Sequence, residues 1–338
     1  MRAQVVPLVA LLTAASASPS FAQLAPSAKW AAEAAAQYSV NANITYRTAS
    51  NQALKMDVYY RRGVSAPQPT LVYMHGGFWV AGAKETAIAG LLPWLEMGWN
   101  VVNVEYRLGA AADPTTLAPA AVDDCFYALR FIASLPVAYN LDAKRIVVTG
   151  ESAGGHLALA MGIIPESSGL GRDCAGAAAP PPPPGARGGA PAAAPNQASA
   201  PVSLPPIPKV VAVINWFGIT DVPDVIDGPN LRAPAARWFG NMTNRLDVAK
   251  RVSPLTYVRA GLPPIITIHG DADPTVPYPE AVRLHEALAK LKVPNQLVTV
   301  PGGGHGGFSA EERVTIYVAI REFLSKNGVL SDAGSVSR

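Results

Sequence analysis

The segment Gly150-Glu151-Ser152-Ala153-Gly154 sets a serine midway between two glycines. A serine hydroxyl is a weak nucleophile at neutral pH and needs a neighbouring base, which in turn needs a carboxylate to orient it. The flanks give the spacing meaning. Val147-Val148-Thr149 reads as the end of a buried strand, and Gly155-His156-Leu157-Ala158-Leu159-Ala160 as the start of a helix. A strand that turns this sharply into a helix leaves no room for side chains two residues either side of the serine. The helix also aims its positive N-terminal end at the hydroxyl.

In such an arrangement the acid and then the base follow in the chain. Three histidines lie downstream. His305 sits in Pro301-Gly302-Gly303-Gly304-His305-Gly306-Gly307-Phe308, a glycine-rich loop between the last apolar strand and the last helix, and is expected to be the base. His285 falls within a helix and reads as surface, and His269 ends a strand. The acid is expected in Gly270-Asp271-Ala272-Asp273-Pro274. Residue types leave Asp271 and Asp273 both open there, one orienting the histidine and the other stabilising its own turn.

A tetrahedral intermediate on Ser152 carries a negative oxygen that preorganised N–H groups must meet. Ala153 offers one. The loop His75-Gly76-Gly77-Phe78-Trp79 follows an apolar strand and offers more, because its glycines let backbone approach closely.

These loops need a scaffold. Thr70–Met74, Val101–Tyr106, Arg145–Thr149, Val210–Trp216, Pro264–His269 and Gln296–Val300 are short β-rich apolar runs. Helices are expected between them, near Thr86–Met97, Ala118–Leu135, Ser152–Ile164, Pro279–Leu291 and Ala310–Lys326. Continuous apolar strands alternating with helices predict an α/β class, with a mostly parallel sheet of about eight strands covered on both faces. Ahead of them Ala28–Tyr38 reads as a short helix, and Ile44–Tyr46 with Leu54–Tyr60 as an edge hairpin.

Other stretches bound the domain. Arg2, the apolar run Val5–Ala15 and Ser20-Phe21-Ala22 read as a signal peptide over residues 1–22, leaving a domain over 23–338. Export would make the protein secreted or periplasmic, with no membrane span in the mature chain, since the apolar run is shorter than a spanning helix requires. Residues 175–208 are dominated by Pro, Ala and Gly, with prolines throughout Pro180–Pro184, and are expected to be a disordered insertion. Cys125 and Cys174 are the only cysteines, and their pairing stays open. A formal net charge of +3 without any Lys/Arg run argues against nucleic acid as a partner. No spacing suggests a metal site or a phosphate loop, so no cofactor is expected.

Together the motifs resemble the esterase/lipase branch of the α/β-hydrolases. The chain is most similar to the feruloyl-esterase and acetyl-esterase group, related to the hormone-sensitive-lipase-like esterases. The resemblance rests on His75-Gly76-Gly77-Phe78-Trp79-Val80-Ala81-Gly82, Tyr106-Arg107-Leu108, Gly150-Glu151-Ser152-Ala153-Gly154-Gly155-His156-Leu157, Ser253-Pro254, His269-Gly270-Asp271-Ala272-Asp273-Pro274-Thr275-Val276-Pro277 and Gly304-His305, and runs from about Tyr46 to Leu324. It implies a serine carboxylesterase with Ser152 as nucleophile, His305 as base and, as the aspartate before the proline, Asp273 as acid. It implies oxyanion donors at Gly77 and Ala153, with Gly76 assisting, and a structural Arg107. Phe78 stands where the hormone-sensitive-lipase pattern has a third glycine.

On that fold, residues 221–251 would form a small cap. Phe78, Trp79, Trp216, Phe217 and Trp238 would be candidates to line an apolar acyl or aryl pocket. The expected substrate is a small-molecule or polysaccharide-linked ester. Two other readings share the motifs. A prolyl-oligopeptidase-type peptidase has the same chain order, but the stretch before Tyr46 leaves no space for that group's propeller. The other is a catalytically inactive binding protein on the same fold.

Overall fold

The structure is a computed structural model that describes residues 25–110, 112–135, 137–171 and 204–330. The expected signal peptide and most of the expected insertion, including Cys174, lie outside the described residues. Helix α1 (Pro26–Gln37) buries no side chain. The described chain divides after Ala36, and the compact unit that carries the site runs from Gln37 onwards.

Eight strands form one sheet in the order β1-β2-β4-β3-β5-β6-β7-β8. β1 (Tyr38–Ala49) and β2 (Gln52–Arg61) make the antiparallel edge hairpin, longer than the sequence suggests. Its turn, Ser50-Asn51, has φ of 51° and 55°, the pair of left-handed conformations that a two-residue hairpin turn requires. β2 pairs antiparallel with β4 (Asn100–Val104). From there β3 (Gln68–Met74), β5 (Leu141–Glu151), β6 (Val210–Trp216), β7 (Ile265–Gly270) and β8 (Asn295–Val300) continue in parallel.

The apolar strands feed two buried clusters, one on each face. Val147 and Val148, adjacent on β5, point into different clusters, as strand alternation demands. One face is covered by α3 (Ala120–Ser134), α4 (Ala153–Ile163) and α8 (Tyr278–Lys290), the other by α2 (Ile88–Glu96) and α9 (Ala310–Lys326). A capping box between Ser309 and Glu312 starts α9 where the sequence places it.

The expected cap folds as α5 (Val222–Ile226), α6 (Ala233–Phe239) and α7 (Arg245–Val252). Its entry is tied to α8, because the Thr220 and Asp221 N–H groups donate to the Glu280 carboxylate at 2.7 and 3.1 Å. Burial pushes the Glu280 pKa up to about 7.

Three expectations need correction. The stretch read as disordered through residue 208 includes Leu204 and Ile207, which pack against the core beside β6. His285 is not a surface residue. It is 7% exposed, and its Nδ1 meets Asn295 Oδ1 at 2.9 Å, since its face of α8 lies on β8. The first helix after β3 is shorter than expected, a 3₁₀ turn over Lys84–Ala87 preceding α2. Cys125 on α3 is a buried free thiol.

Candidate active site

β3 and β5 are neighbours, yet the chain visits β4 on one side before returning to β5 on the other. This is the topological switch point where open α/β sheets bind ligands, beyond the strands' carboxyl ends. Met74 pairs with Gly150, so the loop after β3 and the turn after β5 emerge side by side.

Ser152 occupies that turn with φ 56° and ψ −118°, at the N-cap of α4. A non-glycine residue holds such a conformation only where its surroundings over-determine it. The glycines show how. A Cβ on Gly150 would lie 2.5 Å from the Met74 carbonyl, and one on Gly154 would run into the Met74 and His75 carbonyls. These contacts are with backbone and cannot be relieved by a rotamer change. The Ser152 N–H donates to the Trp216 carbonyl (2.9 Å), and the Ser152 carbonyl accepts from His156 N–H (3.0 Å). Ser152 is 7% exposed, recessed but reachable. The Ala153 N–H opens α4, where the first-turn donors lack helical acceptors.

Gly76 passes close to the serine, since a Cβ there would sit 3.4 Å from Ser152 Cβ. Gly77, Phe78 and Trp79 then follow at φ of 120°, 51° and 60°. Two successive left-handed non-glycine residues cost roughly 1–2 kcal/mol each. His75 anchors the loop's base by stacking on Tyr106 at 4.4 Å, and the Tyr106 hydroxyl donates to the His75 carbonyl at 2.8 Å. Lys84 closes its far end, buried against Asp57 at 3.0 Å. Arg107 is structural, as expected. It binds Asp124 through Nε (2.8 Å) and Nη2 (2.9 Å), and Arg47 shares that carboxylate at 2.8 Å.

Asp273 and His305 come together, with Nδ1 and Oδ2 2.7 Å apart. The other carboxylate oxygen of Asp273 accepts the Thr275 and Val276 N–H groups at 2.7 and 3.0 Å. Burial would push the Asp273 pKa up, but donors from His269, His305 and Thr275 outweigh it and hold the carboxyl well below its usual range. Asp271 does something else. It is exposed and accepts the Gly302 N–H at 2.6 Å, bracing the glycine loop that presents His305. The His305 ring lies edge-on to Phe217 at 4.7 Å. Phe217 directly follows Trp216, the acceptor for Ser152 N–H, so serine and histidine face one strand-end rim.

Sequence reasoning passed over His269. It is fully buried at the end of β7, with Nε2 3.0 Å from the Val276 carbonyl and 3.2 Å from Asp273 Oδ2. Both neighbours are acceptors, so Nε2 carries the proton. His269 thereby steadies both Asp273 and its turn. The signal was available, since a strand-ending histidine four residues before an aspartate must lie beside the same loop.

The aromatic pocket divides. Phe217 sits at the rim, and Phe78 is partly exposed there. Trp79 and Trp238 are fully buried and stack on each other at 4.3 Å, so they are core rather than pocket wall. Trp216 is also excluded. Its side chain alternates to the opposite face and meets Tyr317 of α9 at 5.7 Å. A cleft of about 770 Å³ opens on that face between α2 and α9, walled by Tyr73, Glu151, Arg313 and Tyr317 among others. Glu151 directly precedes Ser152 and so joins this cleft to the turn after β5. Burial raises the pKa of that carboxyl against the pull of Arg313 and His305.

Comparisons with known proteins agree with this architecture. The BD-FAE family profile matches residues 56–288. The esterase LipQ of Mycobacterium tuberculosis is 25% identical over 236 residues, covering 68% of this chain and 48% of LipQ. The carboxylesterase NlhH of the same species is 35% identical over 108 residues, covering 31% of this chain and 32% of NlhH. The chain thus spans about half the length of LipQ. Among solved structures, esterase Est2 of Thermogutta terrifontis superposes with a TM-score of 0.65 at 24% identity, covering 88% of this chain and 95% of Est2. A truncated carbohydrate esterase from gut microbiota superposes with a TM-score of 0.64 at 25% identity, covering 85% and 96%. With the profile spanning both the elbow and the acid loop on an α/β-hydrolase sheet, the chain belongs to the BD-FAE family.

Proposed function

We propose that the protein hydrolyses carboxylic esters through an acyl-enzyme, with Ser152 as nucleophile, His305 as base and Asp273 as the orienting acid. The observation that carries this reading is the 2.7 Å Asp273–His305 pair, delivered to the same strand-end rim as a serine held at φ 56°. His305 Nε2 takes the Ser152 proton as Oγ bonds to the ester carbonyl carbon. The carbonyl electron pair moves to oxygen, which the Ala153 and Gly77 N–H groups receive, with Gly76 assisting. Collapse breaks the bond to the alkoxy group, and that oxygen takes the proton back from His305. Water then repeats the sequence on the acyl-serine and frees the acid.

Two relatives support short or carbohydrate-borne acyl groups. Est2 has been solved with butyrate and with propionate bound, and the gut-microbiota neighbour is a carbohydrate esterase. We extend the reading to acetyl or feruloyl esters, free or polysaccharide-linked, and to an exported protein cleaved after Ala22. Purified protein assayed on p-nitrophenyl acetate, methyl ferulate and an aminoacyl p-nitroanilide tests the reaction class. Turnover of the anilide alone would replace an esterase with a peptidase. Fractionation with N-terminal sequencing tests export and cleavage, where a chain starting at Met1 and found only in the cytoplasm would refute both.

A further inference from the structure

The strained loop Gly77-Phe78-Trp79 is supported from outside itself. The Trp79 indole Nε1–H donates to His156 Nδ1 at 3.0 Å. The His156 ring stands edge-on to the same indole at 4.9 Å, and its Nε2–H donates to the Val252 carbonyl at 2.8 Å. Both ring nitrogens are therefore committed, and only the neutral tautomer with a bare Nδ1 satisfies both partners. Burial favours the same state and pushes the pKa down to about 4. A face of the same indole stacks on Trp238 at 4.3 Å and 17°. Its carbonyl accepts Gly109 N–H at 2.7 Å. His156 stands one helical turn past Ser152, Trp238 belongs to α6, and Val252 ends α7. One indole thus ties the loop to the nucleophile's helix and to two helices of the cap.

We propose that Trp79 and His156 are positioning residues that hold the Gly77 N–H on the oxygen of the tetrahedral intermediate, and that the cap sets this alignment through Trp238 and Val252. The inference rests on Ser152 being the nucleophile. It assigns Trp79 and Trp238 a role in the rate of the chemical step rather than in contact with the acyl group. A donor aimed where charge develops acts in the transition state and not in the ground state, so its misplacement lowers kcat with little change in KM.

The test compares His156→Leu, Trp79→Phe and His156→Asn. Leucine removes the acceptor for the indole, phenylalanine removes the indole donor, and asparagine returns an oxygen near the Nδ1 position. We expect His156→Leu and Trp79→Phe each to lower kcat on p-nitrophenyl acetate about 10- to 100-fold, with KM within about threefold. We expect His156→Asn to recover at least a third of wild-type kcat. A second readout separates alignment from general loosening. A thionoester places sulfur, a poor acceptor, in the oxyanion position. The ester-to-thionoester ratio of kcat/KM should therefore fall at least fivefold in the two damaged variants and return with asparagine. Should His156→Leu fail to fold, Trp79→Phe and His156→Asn carry the same comparison. Folded variants with wild-type kcat, or an equal loss on ester and thionoester with no rescue by asparagine, would overturn the proposal. Ser152→Ala that still turned over ester would instead bring down the reading on which it rests.

Discussion

The turn after β5 and the loop after β3 both force non-glycine residues into left-handed backbone, but the loop adds distant partners to the steric exclusion that the two share. At the turn, Ser152 is confined by short-range sterics, because Gly150 and Gly154 sit against the Met74 backbone with no room for a Cβ. In the loop, Gly77 sits as tightly against the Ala81 carbonyl, and Phe78 and Trp79 are confined in addition from a distance, by an indole bound to His156 and stacked on Trp238. The first constraint leaves its mark in closely spaced glycines and can be read from a motif, although the backbone they meet is at the end of β3. The second is written in residues that meet only after the cap has folded. Constraint by exclusion tolerates almost no substitution, whereas constraint by partners should yield in graded steps.

The largest effect expected on the excluded side is chemical. Ser152→Ala should lower kcat by on the order of 10⁴–10⁶ with the fold unchanged, as checked by circular dichroism and steady-state kinetics. A variant retaining a tenth of wild-type activity would remove Ser152 from the reaction. Next come the two aspartates of the acid loop. Asp273→Asn keeps the shape but offers His305 Nδ1 the wrong partner, and should cost on the order of 10⁴ in kcat. Asp271→Asn keeps an amide oxygen for the Gly302 N–H and loses only the charge, and should stay within about tenfold. The reverse ranking would transfer the acid to Asp271.

The third prediction probes exclusion directly. Gly154→Ala drives a methyl group into the Met74 carbonyl, and should destabilise the protein by about 4 kcal/mol or more in urea unfolding. A loss below about 1 kcal/mol would mean that the turn can relax, and would blur the contrast with the loop.

The fourth uses pH on the partnered side. His156 has its folded pKa pushed down to about 4 by burial, from an ordinary value of 6.5. The native state keeps it neutral while the unfolded chain protonates. Its contribution is therefore intact above about pH 6.5, declines as pH falls towards 4, and is flat below. A shift of about two and a half units corresponds to about 3 kcal/mol. Unfolding free energies of wild type and His156→Asn, measured from pH 7 to pH 4, should converge by about that amount. Parallel curves would show that His156 is protonated in the native state as readily as in the unfolded one.

Much of the fold was legible because its signals are local. β6 and α9 fall where the apolar runs and the helical pattern place them, and the elbow glycines announce their turn. What failed was the assignment of side chains to a face or a neighbour. Trp216 is the last residue of β6, so strand alternation sends its ring to the α9 face while its carbonyl still serves Ser152. His285 shows the same error on a helix, where the polar face meets β8 instead of solvent.

The sequence by itself determined that a serine would stand on a strand-to-helix turn, that a glycine-borne histidine would follow the last strand, and that a parallel sheet would carry both. Steric exclusion marks itself in closely spaced glycines even where the excluding backbone is Met74 on β3, and apolar periodicity acts over a few residues, so both leave their mark in the order of residue types. Residue types left Asp271 and Asp273 level and the family resemblance favoured Asp273; only the tertiary structure shows that one carboxylate turns in to His305 and His269 while the other turns out to Gly302. It also decided that Trp79 and Trp238 close on each other rather than on a substrate. Those outcomes depend on which distant groups share a volume, and a hydrogen bond or a stacked ring has no sequence spacing of its own.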